Sequence, residues 1–139
     1  MSIARVRGLA LAACAALFAL AAAAGEPPDW NSIKDVDTVS VGTTNPDGSL
    51  RYTTVWLVVV GGRGYLRTGD TTWGGNVART PDVTLVVDGK EYALRVDLVE
   101  AEDERALVTK AFNEKYGWSD TMIGWFRGDH PKIMRLASL

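Results

Sequence analysis

The sequence predicts a mainly β domain over residues 37–139, a small antiparallel barrel of about six strands with helices at its periphery. Three observations lead there. Short runs rich in Val and Thr recur at close spacing, and Gly-, Pro- and Asp-containing turns punctuate them. Asp88-Gly89 stands between two such runs and is the strongest two-residue hairpin signal in the chain. One long helical pattern appears, and it comes late, over residues 102–116. Strands of this number in a chain of this length close more readily as a barrel than as an open sheet.

Each element has its own justification. Thr38 to Thr44 is a Val/Thr strand, and Asn45-Pro46-Asp47-Gly48 turns the chain, with Pro presetting φ and Gly48 free to take φ > 0. Arg51 to Val60 is the most β-prone stretch; its end is continuously apolar, as in a strand covered on both faces. Gly61-Gly62-Arg63-Gly64 leads into a third strand, Tyr65 to Thr68. A short helix is expected within residues 69–80, ended by Pro81. Val83 to Val87 and Glu91 to Val99 form the hairpin around Asp88-Gly89. In the longer helix, Glu102, Asp103 and Glu104 suit the N-terminal dipole and Leu107, Val108, Ala111 and Phe112 form an apolar stripe. Gly117 suits the position after its end. Trp118, Met122, Ile123, Trp125 and Phe126 are expected to pack on the barrel, and Lys132 to Leu139 alternates like a last strand.

Ahead of this domain, residues 1–24 have the order of a secretory signal peptide. Arg5 and Arg7 give a positive start, Gly8 to Leu20 an apolar run, and Ala21 to Ala24 the small residues a signal peptidase requires. An uncleaved N-terminal anchor and a lipoprotein modified at Cys14 are the alternatives. Cleavage would leave residues 25–36 as a lead-in segment, with Trp30 and Ile33 available to dock, in a periplasmic or secreted protein. It would remove the only cysteine and two of the 15 basic residues, leaving 13 against 17 acidic ones. A net charge of −4 offers no electrostatic footprint for nucleic acid and disfavours anionic membrane surfaces, so small molecules or proteins are the expected partners. Arg5 and Arg7 are separated by Val6, so there is no twin arginine. The chain would cross unfolded and meet any cofactor outside the cytoplasm.

Several chemistries are excluded. With one histidine, His130, a multi-histidine metal site cannot form, and neither Asp120 nor Asp129 completes a ligand pattern. No serine occupies a nucleophile elbow. Gly62-Arg63-Gly64 fails as a dinucleotide loop, because Arg67 takes the third glycine's place and a strand follows. The acidic cluster Glu100, Glu102, Asp103 and Glu104 is expected to be a solvated helix start. The segment from Tyr65 to Pro81 is more informative. A strand ends in Arg67-Thr68-Gly69, a hydroxyl-rich loop follows, and a short helix begins near Thr72. Freed amides, hydroxyls, a guanidinium and a helix N-terminus are what a phosphate needs, and Trp73 could stack on a planar ring. An ordinary Gly/Thr-rich loop, with Arg67 paired to an acid, is the simpler reading of the same residues.

The order of these elements, with Thr54-Val55-Trp56 in the second strand, the strand ending Tyr65-Leu66-Arg67-Thr68-Gly69 and the helix ending Arg79-Thr80-Pro81, resembles the FMN-binding split-barrel superfamily. That superfamily includes pyridoxamine-phosphate-oxidase-like proteins and deazaflavin-dependent reductases. Lys115-Tyr116-Gly117 at a helix end resembles a small subgroup of it. The resemblance implies a split barrel with one short helix after the third strand and a longer one after the fifth. It also implies a homodimer and a flavin-type cofactor, FMN or a deazaflavin, which would bring oxidoreductase chemistry. Carried over by position, Arg67, Thr68, Gly69, Thr71, Thr72 and Asn76 would face the phosphate, with Trp56 and Trp73 near the ring or in the core. Oxidases of the superfamily carry Arg-Lys at the start of the helix, where this chain has Thr72-Trp73. A replacement cation would have to come from Arg51, Arg67 or Arg79. The alternative is an exported split barrel without a cofactor, binding another small ligand or a protein.

Overall fold

In the computed structural model, residues 26–117 and 131–139 are described. The segment read as a signal peptide, the aromatic group from Trp118 to Phe126 and His130 lie outside them. Seven strands form one antiparallel sheet in the order β2-β1-β5-β6-β7-β4-β3. They are β1 (Thr38–Thr44), β2 (Leu50–Trp56), β3 (Val58–Val60), β4 (Arg63–Thr68), β5 (Asp82–Val87), β6 (Lys90–Leu98) and β7 (Lys132–Ser138). Helix α1 (Thr72–Arg79) follows β4 and helix α2 (Glu102–Tyr116) follows β6. Among the described residues, no helix is long and apolar enough to cross a membrane.

The expected long strand from Arg51 to Val60 is two strands, which raises the count to seven and places the helices after the fourth and sixth. Leu57 is the break. Its amide still bonds in the β1–β2 register, to the Asp37 carbonyl (3.1 Å), and from Val58 onward the chain pairs with β4 instead. Strands β2 and β3 are the opposite edges of the sheet yet lie one residue apart in the chain. The sheet therefore curls round, and chain continuity at Leu57 closes the seam without a ladder.

Alternation along the strands makes two cores, since successive side chains point to opposite faces. Inside the curl, Val39, Val41, Val55, Leu57, Leu66, Leu85, Leu94, Val96, Met134 and Leu136 pack with Trp73 and Val77 of α1. Trp30, from a 3-10 turn at Trp30–Ile33, joins them; it lies so close to Gly64 that a Cβ there would sit 2.3 Å from its ring. On the outer face, Val58, Tyr65 and Ile133 pack with Val99 and with Val108 and Phe112 of α2. The hairpin at Asp88-Gly89 has φ of 49° and 79°, the positive pair that a two-residue turn requires.

The end of α2 secures the seam. Nζ of Lys115 donates to the carbonyls of Lys34 (3.0 Å), Val36 (2.5 Å) and Leu57 (2.9 Å). The Tyr116 hydroxyl accepts from the Leu57 amide (3.1 Å) and faces the carbonyls of Asp37 (2.7 Å) and Leu57, one of which takes its proton. Burial pushes the Tyr116 phenol up to about 12 and pulls the Lys115 ammonium below its usual range. At Gly117 φ is 69°, which ends the helix at the seam. The acidic start of α2 is not wholly solvated. Glu104 accepts from Arg135 (2.6 and 3.0 Å) and from the Tyr65 hydroxyl (2.7 Å), which fastens α2 to β7 and β4.

Candidate functional site

The residues singled out between Trp56 and Asn76 fall into two groups, because β4 presents alternate residues to alternate faces. Arg67 points outward, under α2. Its guanidinium carbon lies 4.4 Å from the centre of the Phe112 ring, the residue is 7% exposed, and burial lowers the group to about 10, so it is charged at neutral pH. Trp56 is on the same side. It stacks on Tyr116 with centroids 4.5 Å apart and planes 5° from parallel, and Tyr116 in turn lies 6.0 Å from Phe112. Guanidinium and three rings thus form one row beneath the C-terminal half of α2.

Thr68 points the other way, toward α1. Its hydroxyl is 2.6 Å from that of Thr71 and donates to the Gly69 carbonyl when free to do so (3.2 Å). Thr71 caps α1 by accepting from the Gly74 amide (3.1 Å), a role its extended backbone allows. Gly74 lets the helix start lie close to both threonines: a Cβ there would stand 3.0 Å from the side chains of Thr68 and Thr71, which would have to shift slightly. Thr72 is exposed on the first turn and Trp73 is buried in the inner core. Asn76 is 2% exposed and donates to Thr43 (3.1 Å) and Asn45 (2.9 Å), which pins α1 to the end of β1. Arg79 donates to the Thr44 carbonyl and to Asn76. Arg51 is exposed on the edge strand β2.

Alongside α1 the barrel mouth is open. A groove of about 300 Å³ runs between the helix and the ends of β6 and β7, lined by Gly74, Val77, Ala78, Pro81, Val96, Leu98, Lys132 and Met134. Its floor is the inner core itself, through Val77, Val96 and Met134. Leu98 is 53% exposed on its wall. The single cation of the lining is Lys132, paired in register with Thr68. Paired residues on antiparallel neighbours share a face, so Lys132 stands on the α1 side, where Arg67 does not. An apolar trough with one ammonium at its rim suits a flat, largely apolar ligand that carries a negative charge. Sequence reading passed over Lys132 because it belongs to no motif and lies 64 residues from its neighbour Thr68; its register partner was visible only once β7 was set beside β4. Among the described residues, no three His, Cys, Asp or Glu side chains gather to hold a metal.

Comparison with known proteins agrees with this architecture. Solved structures that resemble it include a conserved hypothetical protein from Mycobacterium tuberculosis, 19% identical, with a TM-score of 0.60 over 83% of each chain. The heme storage protein HutZ from Vibrio cholerae is 12% identical, with a TM-score of 0.61 over 78% of this chain and 87% of that one. An F420-H2-dependent reductase is 18% identical, with a TM-score of 0.59 over 73% of this chain and 94% of that one. At such identities the likeness is one of fold, and the fold is the split barrel. No curated protein matches the sequence. A family model described as "Uncharacterized protein conserved in bacteria (DUF2255)" matches residues 29–132, most of the chain, and the chain belongs to that family.

Proposed function

We propose that this chain is an exported split-barrel protein that binds a flavin-type cofactor, FMN or a deazaflavin, in the groove beside α1, as part of a homodimer. The observation that carries the reading is the groove: an apolar floor continuous with the core and a cation at one end. Its volume of about 300 Å³ is at the lower end of ligand pockets. One copy thus offers room for a ring system, and a second copy would cover what is left open. The similar folds include a heme storage protein and an F420-H2-dependent reductase, which supports a flat, conjugated ligand. A bound flavin would supply hydride chemistry of its own. The residues here would seat the ring on Val77, Val96 and Met134 and shield it from water.

Titration of FMN, riboflavin and F420 into the purified chain tests this. Retained visible absorbance and quenching of tryptophan fluorescence, with Trp73 on the core side of α1, are expected. No retention and no quenching for any of them would transfer the chain to the cofactor-free alternative. Export is checked by sequencing the N terminus of protein recovered outside the cytoplasm, which should begin near Gly25. Light scattering should report a dimer.

A further inference from the structure

The three arginines that the sequence offers as phosphate anchors are all placed elsewhere. Arg67 is held under α2 against Phe112, Arg79 is bonded to Thr44 and Asn76, and Arg51 lies on the β2 edge. We propose that Lys132 is the anchor for the ligand's anionic group, and that it makes the groove selective for a phosphorylated flavin over a neutral one. This assignment rests on the groove being the flavin site.

Four features converge on it. Lys132 lines the groove and is exposed, so its ammonium is available. It pairs with Thr68, whose hydroxyl meets that of the α1 cap residue Thr71, so Lys132 stands at the same end of the groove as the N-terminus of α1. The positive end of the helix and the ammonium then favour an anion at one place, with the apolar floor extending toward Pro81 at the other. Finally, Lys132 forms no ion pair with any acid among the described residues. Glu100 and Glu102 border it in a separate hollow shared with Arg105 and Pro131, and neither carboxylate lies within 4 Å of its ammonium. Its charge is left for a ligand.

The test compares two ligands with the same ring. FMN and riboflavin are titrated at low ionic strength into the full chain, wild type and variants, with tryptophan quenching as the readout. Wild type is expected to prefer FMN by about tenfold, the scale of one charge-assisted hydrogen bond. Lys132→Met should bring the ratio near one by weakening FMN alone, while Lys132→Arg keeps it. Arg51→Met should leave the ratio as in wild type. Inorganic phosphate should compete with FMN and not with riboflavin, and added salt should shrink the preference. A preference that survives Lys132→Met, or equal wild-type affinity for both flavins, overturns the role of Lys132 while leaving the groove as the flavin site. Binding of neither flavin overturns the flavin reading, and this assignment with it.

Discussion

On its outer face, β4 meets α2 in a region where polar groups are matched by partners within the fold. Tyr65 gives its proton to Glu104, Glu104 holds Arg135, and Lys115 and Tyr116 take up the carbonyls around Leu57. On its inner face the same strand meets α1, and matching stops at the mouth. Thr68 and Thr71 are bonded to each other and Asn76 to Thr43 of β1, but beside them an apolar trough and a lone ammonium stay open. A buried polar group without a partner costs stability, so the outer face is built for holding the seam shut. An open groove with one cation adds nothing to stability, so its value lies in binding. Substitutions on the two faces should therefore separate stability from ligand affinity.

The largest effect is expected from Phe112→Ala. It leaves a cavity in the outer core and removes the ring beneath Arg67, at about 4 kcal/mol by urea unfolding. Flavin affinity of the fraction still folded should not change, because Phe112 does not line the groove; a parallel loss of affinity would break the division between the faces. Next comes Lys115→Met, at about 2–3 kcal/mol, since three carbonyls lose one charged donor. Hydrogen exchange at the Leu57 amide should quicken more than exchange in β5 or β6. Asn76→Ala should cost about 2 kcal/mol and, unlike the first two, should weaken flavin binding as well, because it frees α1 from Thr43 and Asn45.

Much of the architecture was legible because it is local. Thr38–Thr44 and Glu102–Tyr116 carry their boundaries in their own residues, and Asp88-Gly89 dictates its hairpin. The seam was not legible: Leu57 looks like the middle of a strand, and the partners that hold it where the chain passes from β1 to β4, Asp37, Lys115 and Tyr116, are distant in sequence. Lys115-Tyr116-Gly117 stood out as a family-like motif, and its visible work is to fasten that corner. In the site, residue types were legible and their facing was not. Arg67 and Thr68 are neighbours in sequence, yet strand alternation sends them to opposite faces. Lys132, remote in sequence, arrives beside Thr68.

Alkaline pH probes the seam with a smaller effect. The unfolded phenol of Tyr116 ionises near 10, whereas the fold keeps it neutral to about 12. Ionisation thus favours the unfolded chain, and stability present below about pH 10 is lost as the pH rises through about 12. Tyr116→Phe should cost about 1 kcal/mol at neutral pH and blunt this alkaline loss. Tyr65, also raised by burial, will keep part of it. An unchanged alkaline limb in the variant would mean that the seam does not depend on this hydroxyl.

The acid side should show the smallest effect, and it tests the far end of the same face. The hydrogen bonds from Arg135 first, then from Tyr65, hold the Glu104 carboxyl below its ordinary range. The folded protein therefore binds that proton less readily than the unfolded chain. The stability Glu104 contributes is complete above the ordinary carboxylate range and disappears as the pH falls through the lower folded value. The pair is partly exposed, at 26% and 24% for the two side chains, so solvent and salt screen it and the contribution stays small. Thermal melts from pH 7 to 3 should show Glu104→Gln less stable than wild type at neutral pH, with the two curves converging as acid is added. Curves that stay parallel would mean that Glu104 does not hold α2 to the sheet, and that the outer face is kept by its apolar core and by the Lys115–Tyr116 end alone.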